Sequence, residues 1–213
     1  KRIADTVTAL IKQKNLDQKQ VLCIGIAIPG PVDHETGEVL ETPNLPFGRL
    51  ELRRLLQEKI DIPVFLENDV NAGTFGEFKA GAAKGYTHVI GVFPGTGLGG
   101  GLILNGKLFR GANGNAGELG HMIIQRDGAI CGCGKRGCLE TLTSRTAMAK
   151  DAVAAAASGK APATLELAGT DIKKYKSKVF LKAIEAGDQR IIEIIDKAAE
   201  NLGLGIANVV NVL

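Results

Sequence analysis

Two apolar runs with a helical segment between them constrain this chain most. The first, VLCIGIAIPGPVD, is nearly continuous until Pro29, Gly30 and Pro31 break it. It reads as a strand buried on both faces that ends in a tight turn. The second, IPVFLEND, reads as a buried strand that ends on an acid. Between them lie a polar connection, HETGEVLETPNLPFG, and a short helical pattern, RLELRRLLQEK. Strand, helix and strand in that order predict a parallel sheet with helices packed on it, an α/β fold. Ligands favour the C-terminal ends of the strands in such sheets.

An amphipathic helix opens the chain, with Ile3, Val7, Leu10 and Ile11 on one face. After the second strand, VNAGTFGEFKAGAAKG reads as a helix rich in small residues, and THVIGVFPGTGLGGGLILNGKLFRG as two strands joined by a glycine-rich turn. A cysteine cluster follows, then an alanine-rich helix around TAMAKDAVAAAASG, a lysine-rich linker TDIKKYKSK, and a last helix from Gln189 to about Leu202. Its expected buried stripe is Ile191, Ile192, Ile194, Ile195, Ala198 and Ala199.

Composition excludes several classes. With 45% hydrophobic and 23% charged residues among 213, the chain is long enough and apolar enough for one or two cores. The net charge of +3 is spread out with no basic run, so nucleic acid is not the expected partner. No apolar run approaches the roughly 20 residues that span a bilayer, and no leader is evident, so no membrane is expected and the expected address is cytoplasmic. In that reducing compartment four cysteines do not make a disulfide framework, which leaves metal ligation to explain three of them lying close together.

Three segments carry candidate chemistry. In PGTGLGGG, five glycines in seven positions (Gly95, Gly97, Gly99, Gly100 and Gly101) remove side chains that would hold a phosphate away from backbone N–H groups, and Thr96 adds a hydroxyl. A tight hairpin uses the same residues, but five glycines exceed its needs. No Gly-Lys-Ser/Thr follows, so this is not a Walker loop, and a strand follows where a dinucleotide fingerprint needs a helix. In LENDVN, Asp69 ends a strand where a carboxylate can take a proton from a hydroxyl and Asn68 can position it. An Asn-Asp pair before a helix serves equally as its cap.

The third segment is the cluster. Cys131, Cys133 and Cys138 follow C-x-C-x4-C with His121 ten residues upstream, one nitrogen and three thiolates for the closed tetrahedral coordination of structural zinc. Gly132, Gly134 and Gly137 let the backbone wrap one ion. With no open position, such a metal organises the loop and does not activate water. Glu118 and Glu140 flank the cluster, where paired carboxylates suit vicinal hydroxyls and His121 can donate from its other ring nitrogen. Both acids read equally as supports of the metal or as surface residues.

The segments GIAIPGPVD, LENDVNAGTFGE, PGTGLGGGLILNGKLFRGANGNAGELGH and CGCGKRGCLE resemble the repressor, open reading frame, kinase (ROK) family, and within it the glucokinase-like sugar kinases, over nearly the whole chain. The resemblance implies an actin-like ATPase (ribonuclease H-like) fold: two α/β domains with a cleft between them and a zinc-bearing loop. Residues 1–75 would then belong to the N-terminal domain and 76–213 to the larger C-terminal one. It implies phosphoryl transfer from Mg-ATP to a hexose hydroxyl, with glucose the first expectation. It further implies zinc on His121, Cys131, Cys133 and Cys138, and Asp69 as catalytic base. Gly30, Asn44, Asn68, Glu118, His121 and Glu140 would meet the sugar, and Gly95, Thr96, Gly97 and Gly99 the ATP phosphates. ATP, Mg²⁺ and structural Zn²⁺ are the implied cofactors, and a homodimer is the family habit.

The chain also departs from the family. It has no Asp-x-Gly-Gly-Thr phosphate motif, and it stops at NVVNVL where members continue. The expectation is a fragment of a longer protein that retains the sugar pocket and zinc loop. The rival reading is a sugar-responsive repressor whose DNA-binding helices lie upstream of Lys1. A polyphosphate-dependent kinase would call for a more basic cleft, and a silent sugar-binding module rests on the truncation alone.

Overall fold

The computed structural model describes residues 2–42 and 48–213. Asn44 lies outside the described residues. The chain forms two compact units, one of Lys1–Gly91 with Gly101–Gly117 and the other of Val92–Gly100 with Glu118–Leu213.

The first unit opens with α1 (Arg2–Gln13), followed by β1 (Ile24–Ile28). Next come β2 (Val32–Asp33), β3 (Glu38–Val39), α2 (Leu52–Gln57), β4 (Val64–Asn68) and α3 (Asp69–Ala80). The expected parallel pairing is present, β1 against β4 with Ile24 opposite Val64 and Ile28 opposite Asn68. Ile28, Val64 and Leu66 pack with Ala4, Leu52, Leu56, Ile60 and Ile62, and Val7 and Ile11 of α1 join them. The strands are buried on one face only. Gly25 and Ala27 are exposed and Phe65 is 58% exposed, because strand side chains alternate and no layer among the described residues covers the second face. The polar connection is ordered by Asp33, whose carboxylate accepts from the Glu35 and Thr36 N–H groups and closes the turn between β2 and β3.

The boundary expected at residue 75 falls inside α3, which the first unit holds whole. A helix with a continuous hydrogen-bond ladder behaves as one body. Thr74, on its buried side, meets Gly91 and Gly101; a Cβ at either glycine would come within 2.1 or 2.3 Å of the Thr74 hydroxyl oxygen. Glycines at both positions let helix and strands approach.

Three strands follow where two were expected: β5 (Val89–Pro94), β6 (Leu98–Leu104) and β7 (Lys107–Phe109), in the order β5-β6-β7. Asn105 (φ 52°) and Gly106 (φ 73°) turn β6 into antiparallel β7, with Ile103 opposite Leu108. Two consecutive left-handed residues are what a two-residue hairpin demands, and Asn-Gly supplies them.

The second unit carries α4 (Glu140–Thr143), α5 (Arg145–Ala157), α6 (Pro162–Ala168), α7 (Ser177–Glu185) and α8 (Gln189–Val212). Its core joins Ala149, Ala152, Ala155, Ala156 and Ala183 to Tyr175, Phe180, Ile191 and Ile194. The expected lysine-rich linker instead forms a short turn, Ile172–Lys174, that buries Tyr175, whose hydroxyl donates to the Gly169 carbonyl at 2.6 Å. Helix α8 runs ten residues past Leu202; Ala199 is exposed, and Gly205 and Val209 continue the buried stripe. Gly205 seats the helix on Leu139, whose Cδ2 would lie 2.3 Å from any Cβ there. Among the described residues no helix is long and apolar enough to cross a membrane.

Candidate catalytic turn, glycine turn and metal centre

In the first unit β4 passes into α3 without a loop, and Asn68 is the helix N-cap. Its side-chain oxygen accepts from the Val70 and Asn71 N–H groups at 2.9 and 3.0 Å. Its amide group donates to the Gly30 carbonyl and to Asp69 Oδ1, each at 3.2 Å. Gly30 ends the turn after β1 with φ 105°, a conformation that requires glycine. Capping therefore falls to Asn68. Asp69 is exposed, uses Oδ1 for Val70 N–H and the Asn68 amide, and has no partner for Oδ2 among the described residues. Gly30, Asn68 and Asp69 are thus brought together.

Sequence reading missed what braces this turn. Glu67 Oε1 accepts from Asn68 N–H and from the Asn71 amide, and Oε2 accepts from Arg110 Nε (2.9 Å) and Nη2 (2.6 Å). Arg110 lies just after β7, and no local pattern relates it to a residue 43 positions earlier.

The second unit holds the glycine turn. Gly99 lies within β6, so the turn proper is 95–97, closed by Gly95 N–H on the Gly97 carbonyl at 2.8 Å. The start of α5 holds it. Arg145 N–H donates to the Gly95 carbonyl (2.9 Å), the Thr146 hydroxyl to the Thr96 carbonyl (2.7 Å), and Arg145 Nη2 to the Thr96 hydroxyl (2.9 Å). Glu140 Oε2 accepts from Leu98 N–H at 2.8 Å. A Cβ at Gly97 would lie 2.3 Å from that same oxygen, so glycine is what admits Glu140 to the turn.

The ligand atoms of His121, Cys131, Cys133 and Cys138 all lie within 4.8 Å of one another. Cys131 Sγ is 3.6 Å from His121 Nδ1, and Cys133 Sγ is 3.7 Å from Cys138 Sγ. A tetrahedron with zinc–sulfur bonds of about 2.3 Å has edges of about 3.8 Å, close to both separations, so the donor set fits one zinc ion. The backbone is shaped for it: Cys131 N–H bonds the Lys135 carbonyl at 2.8 Å, and Gly134 and Gly137 take φ 85° and 75° between the cysteines. A Cβ at Gly137 would overlap the Gln125 carbonyl. Burial pushes the Cys138 thiol up to about 12 and raises Cys131 as well, while the Lys135 N–H holds Cys133 below the ordinary thiol value. Two buried thiols in apolar surroundings stay neutral without a cation, and a bound cation reverses that balance.

Glu118 and Glu140 both lie beside the His/Cys cluster. His121 Nε2 faces Glu118 Oε2 at 4.0 Å, and Glu140 Oε1 is 3.7 Å from Cys131 Sγ. Glu140 thereby touches both the glycine turn and the His/Cys cluster.

The ROK family model matches residues 1–213. The chain belongs to the ROK family. It is 34% identical over 212 residues to a glucokinase of Halalkalibacterium halodurans, covering 99% of this chain and 64% of that protein. It is also 34% identical over 208 residues to a xylose repressor of Caldicellulosiruptor bescii, covering 98% of this chain and 52% of that protein. Its structure is similar, with a TM-score of 0.83 and 32% identity, to the ROK family glucokinase of Streptomyces griseus in complex with glucose and AMPPNP, covering 99% of this chain and 68% of that one. The chain shares the α/β, actin-like ATPase fold of ROK structures. It spans roughly half to two thirds of the length of the curated relatives it matches.

Proposed function

We propose that the protein carrying this chain is an ATP-dependent sugar kinase that transfers the γ-phosphoryl group to a hexose hydroxyl, with glucose yielding glucose 6-phosphate as the first candidate. The observation that carries this reading is the division of labour at 68–69: Asn68 caps α3, which leaves Asp69 exposed with Oδ2 unengaged. Asp69 Oδ1 shares the Val70 N–H with Asn68, but Asn68 holds the Asn71 N–H, so Oδ2 stays available to accept a proton. Similarity to glucokinases, one of them bound to glucose and AMPPNP, supports the same reading.

Phosphoryl transfer asks the protein mainly for alignment and charge compensation. Asp69 accepts the proton of the attacking hydroxyl. Asn68 and Gly30 hold its orientation, while Glu118, Glu140 and His121 Nε2 bind further sugar hydroxyls. Gly95, Thr96 and Gly97 receive the phosphates, with Gly99 continuing the strand behind them, and Mg²⁺ accompanies ATP. Zinc, when bound, supplies structural cross-linking, and His121, Cys131, Cys133 and Cys138 would hold it. Asn44 remains an expected sugar contact, and a cytoplasmic homodimer is the expected form.

The test is sugar-dependent ADP release by the full-length protein over a panel of hexoses and N-acetylhexosamines, with Asp69→Asn beside the wild type. Activity on one sugar, abolished in the variant with sugar affinity kept within about tenfold, is the expected outcome. Substantial turnover by Asp69→Asn would remove Asp69 from the base role. The xylose repressor similarity supports a second reading, a sugar-responsive repressor. Sugar binding without ADP release, together with sugar-dependent DNA binding, would establish it.

A further inference from the structure

We propose that Arg145 is a phosphate-binding residue, the cation that makes the glycine turn a site for the terminal phosphates of a nucleotide; this rests on the kinase reading. The turn at 95–97 has its three carbonyl acceptors engaged, two of them by the start of α5. Arg145 N–H takes the Gly95 carbonyl, the Thr146 hydroxyl takes the Thr96 carbonyl, and Gly95 N–H takes the Gly97 carbonyl. What the turn has left is donors. Among the described residues the Thr96 and Gly97 N–H groups have no acceptor. The Thr96 hydroxyl oxygen accepts from Arg145 Nη2, so its own proton is free to donate. Such a concentration of unsatisfied donors is the signature of an anion site.

The guanidinium completes it. Arg49, Arg54, Arg110 and Arg190 each pair with a carboxylate, whereas among the described residues Arg145 has only the Thr96 hydroxyl as side-chain partner. One of its five N–H donors is thus committed, and four remain beside the free amides. Glu140 also lies against the turn, on Leu98 N–H, and its negative charge by itself would repel a polyanion. Arg145 offsets that charge and presents a planar fork suited to phosphate oxygens.

The experiment measures binding of MgATP, MgADP, AMP and adenosine to the full-length wild type, Arg145→Gln and Arg145→Lys. Arg145→Gln is expected to weaken ATP about tenfold or more, the scale of a charge-assisted hydrogen bond, while adenosine changes less than about twofold and Arg145→Lys falls between. Sugar affinity and zinc content report on the fold, and if Arg145→Gln loses either, the ATP-to-adenosine ratio of Arg145→Lys decides. The backbone bond from residue 145 to the Gly95 carbonyl and the Thr146 bond to the Thr96 carbonyl survive either substitution and still brace the turn, so a purely bracing role predicts nearly wild-type ATP affinity. That result, or equal losses for ATP and adenosine, overturns the proposal while the kinase reading stands. A wild type that binds no nucleotide overturns both.

Discussion

Replacing Asn68 with alanine separates capping from catalysis. The substitution removes an acceptor that serves the Val70 and Asn71 N–H groups, worth about 1 kcal/mol for an N-cap. It also removes the amide bond to the Gly30 carbonyl, worth about 1 kcal/mol more. The expected loss is about 2 kcal/mol in chemical denaturation of the full-length protein. Asp69, whose Oδ1 already accepts from the Val70 N–H, is then drawn further into the unfilled cap, and a carboxylate drawn into the cap is withdrawn from the substrate. Turnover should therefore fall by at least about tenfold, a barrier change of about 1.4 kcal/mol. Asn68→Ser restores an oxygen for the cap but no amide donor, so it should lose about 1 kcal/mol and sit between the other two in kcat. A variant Asn68→Ala that is destabilised as expected yet turns over at the wild-type rate would refute the coupling between cap and base. One that is neither destabilised nor slowed would refute the geometry itself.

Other expectations follow from the second unit. Gly97→Ala would drive a Cβ to within 2.3 Å of Glu140 Oε2 and displace it from Leu98 N–H; KM for ATP and for sugar should both rise several-fold, and a change in only one would mean Glu140 does not join the two. Cys131→Ser should lose zinc, measured by metal analysis, together with sugar affinity; full zinc content would sink the ligand set. Zinc affinity should rise with pH, because burial keeps the metal-free Cys138 thiol protonated up to about 12 and every thiol that binds must release its proton. Binding in weakly buffered solution should acidify the medium, and an affinity independent of pH between 6 and 8, roughly the neutral range, would contradict the assignment.

The legible parts of this protein were those written in local spacing. The parallel pairing of β1 and β4 follows from apolar runs on either side of a helix, and the His/Cys cluster from one imidazole and three thiols brought within 18 residues by glycines that permit the turns. The Asn-Gly turn that begins β7 is also local, but the apolar pattern around it predicts one strand where the structure has two. Helices α6 and α7 escaped because their short segments lie around lysines, and it is Tyr175 packed on Phe180 that orders them.

Sequence alone determined which residues could do chemistry: an acid at a strand end, a turn too rich in glycine for a hairpin alone, and a soft-metal donor set. Tertiary structure decided what each was free to do. Asn68 caps α3 and leaves Asp69 Oδ2 unengaged, Arg110 reaches Glu67 from 43 residues away, Glu140 spans the glycine turn and the cysteines, and Arg145 comes to lie at Thr96. The physical reason is that a donor or acceptor has no role until its partners are known. Those partners are chosen by packing between segments far apart in the chain, where periodicity and spacing carry no information.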